Sequence, residues 1–208
     1  MKLQKALLLG VAAASLSTAA FAQQSGESPW MVRVRATSLS TETSSTAVPG
    51  VLPADAIDVQ SKWIPEVDVS YFFTKNIAAE LVLTVPQRHD VTVAGGKIGT
   101  FKHLPPTLLL QYHFTDLGAF KPYVGAGINY TILGSEKMSV GGTPVTLENS
   151  SVGGAVQVGV DYKLNRNWYL NADVKKVWIG TDVFLGGSKI SELKVDPWLF
   201  SVGVGYRF

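Results

Sequence analysis

Apolar and polar residues alternate with a period of two along most of the chain from residue 30 onward. The last segment is the clearest, because one face is apolar throughout and ends in aromatic rings, with Trp198, Phe200, Val202, Val204, Tyr206 and Phe208. Seven earlier segments alternate in the same way, at residues 30–39, 62–73, 77–85, 104–114, 122–131, 152–163 and 168–178. Such alternation indicates β-strands whose two faces meet different surroundings.

The eight predicted strands have about the ten residues that a tilted strand needs to cross a bilayer. Their connections alternate between short ones, near residues 74–76, 115–121 and 165–167, and long ones, near residues 40–61, 86–103, 132–151 and 179–196. No segment after the first 22 residues reaches the roughly 18 apolar residues of a membrane helix. The sequence therefore predicts an all-β fold, an eight-stranded antiparallel transmembrane β-barrel with short periplasmic turns and long extracellular loops.

The alternative is a soluble eight-stranded barrel, which would turn its apolar faces inward. Here the less apolar faces hold Gly, Ala and charged residues, whereas the apolar faces are continuous and carry aromatic rings near both strand ends. Two aromatic belts are typical of strands that face lipid. The long connections also carry apolar residues, such as Val51, Ile57 and Leu185. These form a funnel above the lumen, pack against each other, or belong to hairpins that extend the strands.

Residues 1–22 have the pattern of a secretory signal peptide. Lys2 and Lys5 precede a short apolar run, and Ala20-Phe21-Ala22 forms a small-residue cleavage site. An uncleaved anchor is the alternative, but the apolar run is shorter than the ~20 residues of a spanning helix. We expect residues 23–208 to form a single outer-membrane barrel domain. Without the two lysines, basic and acidic residues balance, so the net charge of +2 gives no reason to expect a nucleic-acid partner.

The 208 residues include no Cys and only three His. This excludes disulfides, thiolate metal sites and Cys nucleophiles, and we predict no metal or cofactor. A lipid-modifying barrel enzyme would need a nucleophile with His and a carboxylate at the membrane interface. His89 and His103 lie in or beside the second long connection and His113 faces inward, with no matching partners evident. We therefore predict no catalytic residues and no enzyme activity.

The inward faces of the strands change character along the barrel axis. Toward the outer end they are apolar or small, and the apolar path there is predicted to comprise Leu39, Ile64, Val82, Leu109, Val177 and Leu199. From mid-height toward the periplasm they carry charges of both signs, at Arg33, Arg35, Glu66, Asp68, Glu80, His113, Asp161, Asp173 and Arg207. Because buried charges must be paired or hydrated, these residues are predicted to form a polar plug in the lower lumen.

Three strings resemble signature segments of the OmpW family of outer-membrane proteins: LPPTLLLQYHF (residues 104–114), KPYVGAGINY (121–130) and DPWLFSVGVGYRF (196–208). The resemblance covers residues 29–208. It implies a barrel with a narrow, largely apolar lumen in the outer membrane of a Gram-negative bacterium. It also implies the functions of that family, whose members pass small hydrophobic molecules and in some cases act as phage or colicin receptors. Tyr206 and terminal Phe208 also resemble the signal that the outer-membrane assembly machinery reads.

We therefore expect small hydrophobic solutes and membrane lipid as partners, besides the assembly machinery. In this hypothesis a solute enters from outside, occupies the apolar upper lumen, meets the polar plug and leaves sideways between strands. Pro105 and Pro106 remove backbone donors near the outer end of the fourth strand, as do Pro65 and Pro197 near other strand ends. Two alternatives remain: the prolines only end strands and the plug only adds stability, or the barrel is a plugged receptor whose loops bind partners.

Overall fold

The computed structural model describes residues 27–47, 54–59, 61–93, 96–136, 138–140 and 142–208, and the predicted signal peptide lies outside them. Eight strands form the barrel: β1 (Trp30–Ser40), β4 (Lys62–Phe72), β5 (Ile77–Thr84), β8 (Thr107–His113), β9 (Phe120–Glu136), β12 (Ser150–Lys163), β13 (Trp168–Val177) and β16 (Trp198–Arg207). The others lie in the long connections: β2 (Thr43–Ser45), β3 (Ile57–Val59), β6 (Gln87–Val93), β7 (Gly96–Leu104), β10 (Met138–Val140), β11 (Thr143–Leu147), β14 (Gly180–Leu185) and β15 (Ser188–Val195). Across these ranges, no helix has the length and apolar character needed to cross a membrane.

The eight barrel strands pair in chain order, each antiparallel to the next, and the last closes on the first. In that closing pair Met31 lies opposite Arg207 and Ser40 opposite Trp198. Closure leaves no unpaired sheet edge, which is what a strand protein in lipid requires. The predicted eight-stranded antiparallel barrel is confirmed.

The two faces of the strands differ as the alternation predicts. In β8 the inward Thr107, Leu109 and His113 are buried, whereas the outward Leu108 and Leu110 are exposed. At the short-turn end, neighbouring outward rings meet edge to face, and the Trp30 and Tyr71 centroids lie 4.8 Å apart. The continuous apolar belt on the outer surface is the surface that lipid covers.

The long connections are largely hairpins that continue the barrel upward. Strands β10, β11, β14, β15 and β2 form a second, five-stranded sheet, and β3, β6 and β7 extend the barrel sheet. Val51, named above as a loop residue, lies outside the described part of the chain. The inner sides of the hairpins pack into a cluster with buried Ile57, Val91, Leu133, Val145, Leu147, Val183, Leu193 and Val195. The hairpins therefore both extend the strands and pack together above the lumen.

Two strands each have one end that differs from the prediction by three residues or more. The fourth barrel strand begins at Thr107 rather than at residue 104, because Pro105 and Pro106 have no N–H to donate to a ladder. The fifth runs from Phe120 to Glu136 rather than over residues 122–131, because its upper part pairs with the extending strand β7.

Candidate functional site: an apolar lumen above a charged floor

Arg35 on β1 is the centre of a buried ion-pair network that crosses the lumen. Its Nη2 lies 2.9 Å from Glu66 Oε1, contacts Asp68, and lies 3.7 Å from Glu80 Oε1. Its Nη1 contacts Asp173 on β13, two strands away around the barrel. All five side chains are shielded from solvent, so each carboxylate depends on this cation for part of its compensation.

Arg33, two residues earlier on the same inward face, forms a second centre. Its Nε and Nη2 donate to the two Asp161 oxygens at 3.0 and 2.6 Å, which is a bidentate pair. Its Nη1 donates to Glu80 Oε2 at 2.9 Å and to Ser70 at 2.7 Å. Glu80 thus links both arginines.

Sequence reasoning missed Lys175 as a member of this network. Its Nζ donates to Glu66 Oε1 at 2.9 Å and to Asp173 Oδ1 at 3.1 Å, and only 1% of the residue is exposed. The available signal was its position two residues after Asp173, on the same inward face of β13. We use "charged floor" for the eight ionisable residues that the network joins: Arg33, Arg35, Glu66, Asp68, Glu80, Asp161, Asp173 and Lys175.

Two residues of the predicted plug lie outside the charged floor. His113 is buried beside it, with its ring stacked on Tyr123 at 4.8 Å and Nε2 3.0 Å from Gln111 Oε1. Arg207 ends β16, so its side chain reaches the rim at the short-turn end, 3.0 Å from a Glu27 oxygen. There its Nε also donates to the Ser28 carbonyl at 2.7 Å. Arg207 therefore ties the chain start to the barrel and does not pair with the lumen carboxylates.

Glycines on the inner wall leave room for the large side chains of the lower lumen. A Cβ at Gly159 would lie 2.4 Å from the Tyr123 ring, and one at Gly203 would lie 2.8 Å from Arg35 Cγ. The small residues of β12 and β16 thus make space for the arginines and the tyrosine that fill the lumen of this eight-stranded barrel.

The upper lumen is apolar where the sequence placed it. All six predicted path residues are buried, at Leu39, Ile64, Val82, Leu109, Val177 and Leu199. Four of them pack with Ala155 and Ile179 into one cluster directly inside the barrel. No charged residue belongs to this cluster, so the upper lumen has an apolar inner surface.

Two narrow cavities follow each other along this apolar stretch. The outer one is partly open, and its walls include Leu133, Leu147 and Leu193 from the hairpin cluster. The inner one is bounded by Glu66 and Lys175 of the charged floor. The two cavities share three lining residues, Leu39, Ile179 and Pro197.

One side of the inner cavity reaches an interruption in the barrel wall, which we call the proline seam and define as residues 83–86 and 104–106. The ladder between the two strands is regular up to Val82 opposite Thr107 and resumes at Gln87 opposite His103. Four residues on one strand thus face three on the other. Pro86, Pro105 and Pro106 all lie in this interval and donate no backbone hydrogen bond.

The register is interrupted on the β5 side of residues 104–106. Toward β9 the register continues, and Tyr130 N donates to the Pro106 carbonyl at 3.0 Å. From the lumen, Asn129 Nδ2 lies 3.3 Å from the carbonyls of both Pro105 and Pro106. Residues 104–106 therefore have a regular neighbour on one side and an irregular one on the other.

The other two prolines named above lie beside paired backbone. Pro65 lies opposite Ala36 within the continuous β1–β4 ladder, while on its other side the β4–β5 register ends one residue away, at Glu66 opposite Thr84. The Pro197 carbonyl accepts from Val177 N at 3.2 Å, and the neighbouring Asp196 side chain accepts from Ile179 N at 2.9 Å. The proline seam thus differs from the ordinary strand end at Pro197.

The ion pair at the short-turn rim predicts a small acid sensitivity. Partial burial raises the pKa of Glu27, but contact with Lys163 and the charge of Arg207 lower it by more, to below its ordinary value of 4.5. A lowered folded pKa contributes stability that is present above pH 4.5 and lost as the pH falls through the folded value. Since the pair is partly exposed, we expect about 1 kcal/mol or less.

Glu27→Gln should therefore lower the urea midpoint at pH 7 slightly and match the wild type near pH 3. As a control, Asp116→Asn removes an exposed turn carboxylate 3.6 Å from Lys75, and it should change neither value. A midpoint for Glu27→Gln that follows the wild type from pH 7 to 3 would contradict this role.

The histidines show no catalytic arrangement in the part of the chain that is described. The side chains of His89 and His103 lie outside the described set, and buried His113 contacts Gln111 and Tyr123. In the same part of the chain no three His, Cys, Asp or Glu side chains are placed to hold a metal ion.

The sequence is similar to known proteins along nearly all its length. The OmpW family model matches residues 25–208. The uncharacterized outer-membrane protein y4mB of Sinorhizobium fredii is 44% identical over 96% of this chain and 90% of its own. Outer membrane protein W of Vibrio cholerae is 35% identical over 96% and 97%.

Two further matches are a relative from a Pseudomonas strain and a solved crystal structure. The dibenzothiophene metabolism operon protein DoxH of a Pseudomonas strain is 29% identical over 88% of this chain and 90% of its own. The crystal structure of the outer membrane protein OprG from Pseudomonas aeruginosa superposes with a TM-score of 0.75 at 30% identity, covering 89% of this chain and 99% of that one.

Proposed function

Because the chain belongs to the OmpW family of outer-membrane proteins, we propose that its barrel takes up small apolar solutes and releases them sideways into the membrane. The observation that carries the proposal is the shape of the inner cavity. It is apolar above, closed below by the charged floor, and bounded at the side by Pro105 of the proline seam.

Access from outside runs through the outer cavity. Its walls are Leu and Val side chains of the hairpins, with three threonines. Transfer of an apolar solute from water to such a surface is favourable by about 25 cal/mol per Å² removed from water. The lipopolysaccharide leaflet opposes direct entry of apolar solutes (a general property of outer membranes), so a protein path through it has a use.

The charged floor prevents passage straight through the barrel. An apolar solute crossing it would separate pairs that span the lumen, such as Arg33 on β1 and Asp161 on β12, three strands away. Breaking buried pairs without replacement costs about 3–5 kcal/mol each. A sideways step costs less, because the seam carries three prolines in place of backbone donors, and the membrane outside is as apolar as the solute.

The relatives support the choice of solute class. DoxH is named for an operon of dibenzothiophene metabolism, and dibenzothiophene is an apolar aromatic compound. We extend that class, apolar molecules of modest size, to this chain. We also propose that residues 1–22 are a cleaved signal peptide and that Tyr206 and Phe208 are recognised during assembly.

A receptor role is the second candidate, and the five-stranded outer sheet favours it. This sheet of β10, β11, β14, β15 and β2 presents a large surface at the long-hairpin end. A phage, colicin or adhesion partner could bind there without solute transport. Such a role does not need the inner cavity or the seam, which is how experiments separate the two functions.

Uptake by whole cells tests the conduit directly. Cells that lack the gene should accumulate a fluorescent apolar tracer more slowly than cells complemented with the wild-type chain. Complementation with Leu109→Arg, which adds a charge to the apolar cluster, should not restore uptake if the variant is present as a folded barrel. Folding is checked by heat-modifiable electrophoretic mobility. Equal uptake with and without the protein would overturn the proposal and leave the receptor role.

A further inference from the structure

The floor of the inner cavity offers an unused hydrogen-bond acceptor. Glu66 lies on the cavity boundary and is 0% exposed. Its Oε1 lies 2.9 Å from both Arg35 Nη2 and Lys175 Nζ. Its Oε2 is buried and has no hydrogen-bond partner among the described residues. A buried acceptor without a partner is costly, so a ligand that donates to it gains more than it would in water.

The charge balance of the floor favours a positive ligand. Three cations, Arg33, Arg35 and Lys175, face five carboxyl groups. Four of these carboxyl groups lie on β4, β5 and β12, and the fifth, Asp173, shares β13 with Lys175. The neighbouring polar side chains from the remaining walls, Gln111, Tyr123 and Gln157, are neutral donors and acceptors. Even a protonated His113, 4.0 Å from Asp161, would leave more carboxyl groups than cations.

The cavity shape restricts the ligand to an amphiphile. Its upper walls are Leu39, Val82, Val177, Ile179 and Leu199, together with the neutral polar Thr84, Thr107 and Asn129, and only its lower boundary is ionic. An anionic head would meet the excess carboxylates, and a wholly apolar solute would leave the Glu66 oxygen unpaired. An ammonium group brings a positive charge and three N–H donors.

We propose that Glu66 is a head-group site and that the cavity prefers solutes with an apolar body and a single terminal amine. The ammonium donates to Glu66 Oε2 while the apolar body lies against the upper walls. The Thr84 hydroxyl, which borders the same cavity beside the seam and has no partner among the described side chains, offers a second acceptor on the way out. This inference rests on the proposed conduit and names its preferred solute.

Binding of matched probes to purified wild-type barrel in phospholipid nanodiscs tests the inference. The probes are phenethylamine, 2-phenylethanol and 3-phenylpropionate, measured by calorimetry, with empty nanodiscs to correct for partitioning into lipid. We expect the amine to bind about tenfold or more tightly than the alcohol, as a charged hydrogen bond implies. We expect the carboxylate to bind least. Equal binding of amine and alcohol, or no binding of either, would overturn the inference.

Variants assign the preference to Glu66. Glu66→Gln should equalise the binding of amine and alcohol. Glu66→Gln with Lys175→Met should do the same, and it serves if the single variant does not fold, because it removes one charge of each sign and leaves the net charge of the floor unchanged. Asp182→Asn, which removes a carboxylate from β14 outside the cavity lining, should keep the full preference. A preference that survives in both Glu66 variants, or is lost in Asp182→Asn, would overturn the assignment. Cellular uptake of the neutral tracer is read separately, so failure of the conduit and failure of the amine preference are distinguishable.

Discussion

A disulfide across the proline seam is expected to stop delivery of apolar solutes reversibly. Extending the β5–β8 register by two residues places Thr84 opposite Pro105, and both border the inner cavity. Directly opposed residues in an antiparallel pair have Cα atoms about 4.5–5.5 Å apart, which suits a disulfide. The chain has no Cys, so Thr84→Cys with Pro105→Cys introduces a single defined pair.

The oxidised seam variant should take up the apolar tracer at the level of cells without the protein, and a reductant should restore uptake. The physical reason is that a covalent bond joins the two strands across the interval where the ladder between them is interrupted. Because the comparison is between two redox states of the same protein, loss of the proline itself cannot produce the difference.

A matched pair elsewhere in the wall controls for stiffening of the barrel. Thr37 and Ser201 are opposed on β1 and β16, with their hydroxyl oxygens 3.0 Å apart. Thr37→Cys with Ser201→Cys should form a disulfide without reducing uptake. If the oxidised seam variant transports as well as the oxidised control, solutes do not leave through the seam.

Removing Arg35 is expected to cause the largest loss of stability of any single change in the lumen. In Arg35→Met, Asp68 loses its cation and three further carboxylates lose one of theirs. Breaking a buried pair by removing one partner costs about 3–5 kcal/mol. We expect a loss of at least about 3 kcal/mol in the free energy of unfolding, measured by urea titration of the barrel in lipid vesicles.

The second variant in this series tests whether the loss comes from uncompensated charge. Asp68→Asn added to Arg35→Met should recover part of the stability, because the ion pair of Asp68 is with Arg35. Exposed Arg166 in a short turn provides the control, and Arg166→Met should change stability by less than about 0.5 kcal/mol. A cost below about 1 kcal/mol for Arg35→Met would show that the floor is hydrated rather than held by dry ion pairs.

The barrel was predictable because lipid and lumen impose opposite demands on neighbouring residues. Strict alternation in segments of bilayer length leaves few other folds, and short and long connections set the direction of the strands. The start of the fourth barrel strand was harder, since Leu104 continues the apolar pattern while Pro105 and Pro106 break the ladder. The pattern records side-chain surroundings, whereas the strand boundary depends on backbone donors.

For the lumen residues, the strand face and the height along the barrel axis were predictable from the sequence, but the ion-pair partners were not. Arg35 pairs with Glu66 and Asp68 on the adjacent strand, as strand neighbours should. It also reaches Glu80 and Asp173 on more distant strands, and that depends on the barrel radius, which no strand pattern gives. The inward position of Lys175 was visible beside Asp173, but its bond to Glu66, three strands away, was not.

The sequence indicated one of the two strands that meet at the proline seam. Pro105 and Pro106 marked one strand, but Pro86 on the facing strand gains its meaning only once the hairpin register is known. Pro197, which carries the same sequence signal, lies where the Asp196 side chain accepts a hydrogen bond from Ile179 N. Whether a proline opens a wall thus depends on what its neighbours donate and accept.

The most direct test of the central claim is to map where an apolar solute contacts the barrel from inside. Outer membranes containing the wild-type protein are incubated with a photoactivatable apolar tracer, irradiated, and analysed by peptide mass spectrometry. Lipid-facing residues are labelled whichever route the solute takes, so the labels on inward-facing residues distinguish lateral release from passage through the barrel. We predict labels on Leu39, Val82 and Leu199 in the upper lumen and on Thr84 at the seam. Labels on Met31 or Tyr169, which are buried below the charged floor, would show passage through the barrel and contradict lateral release.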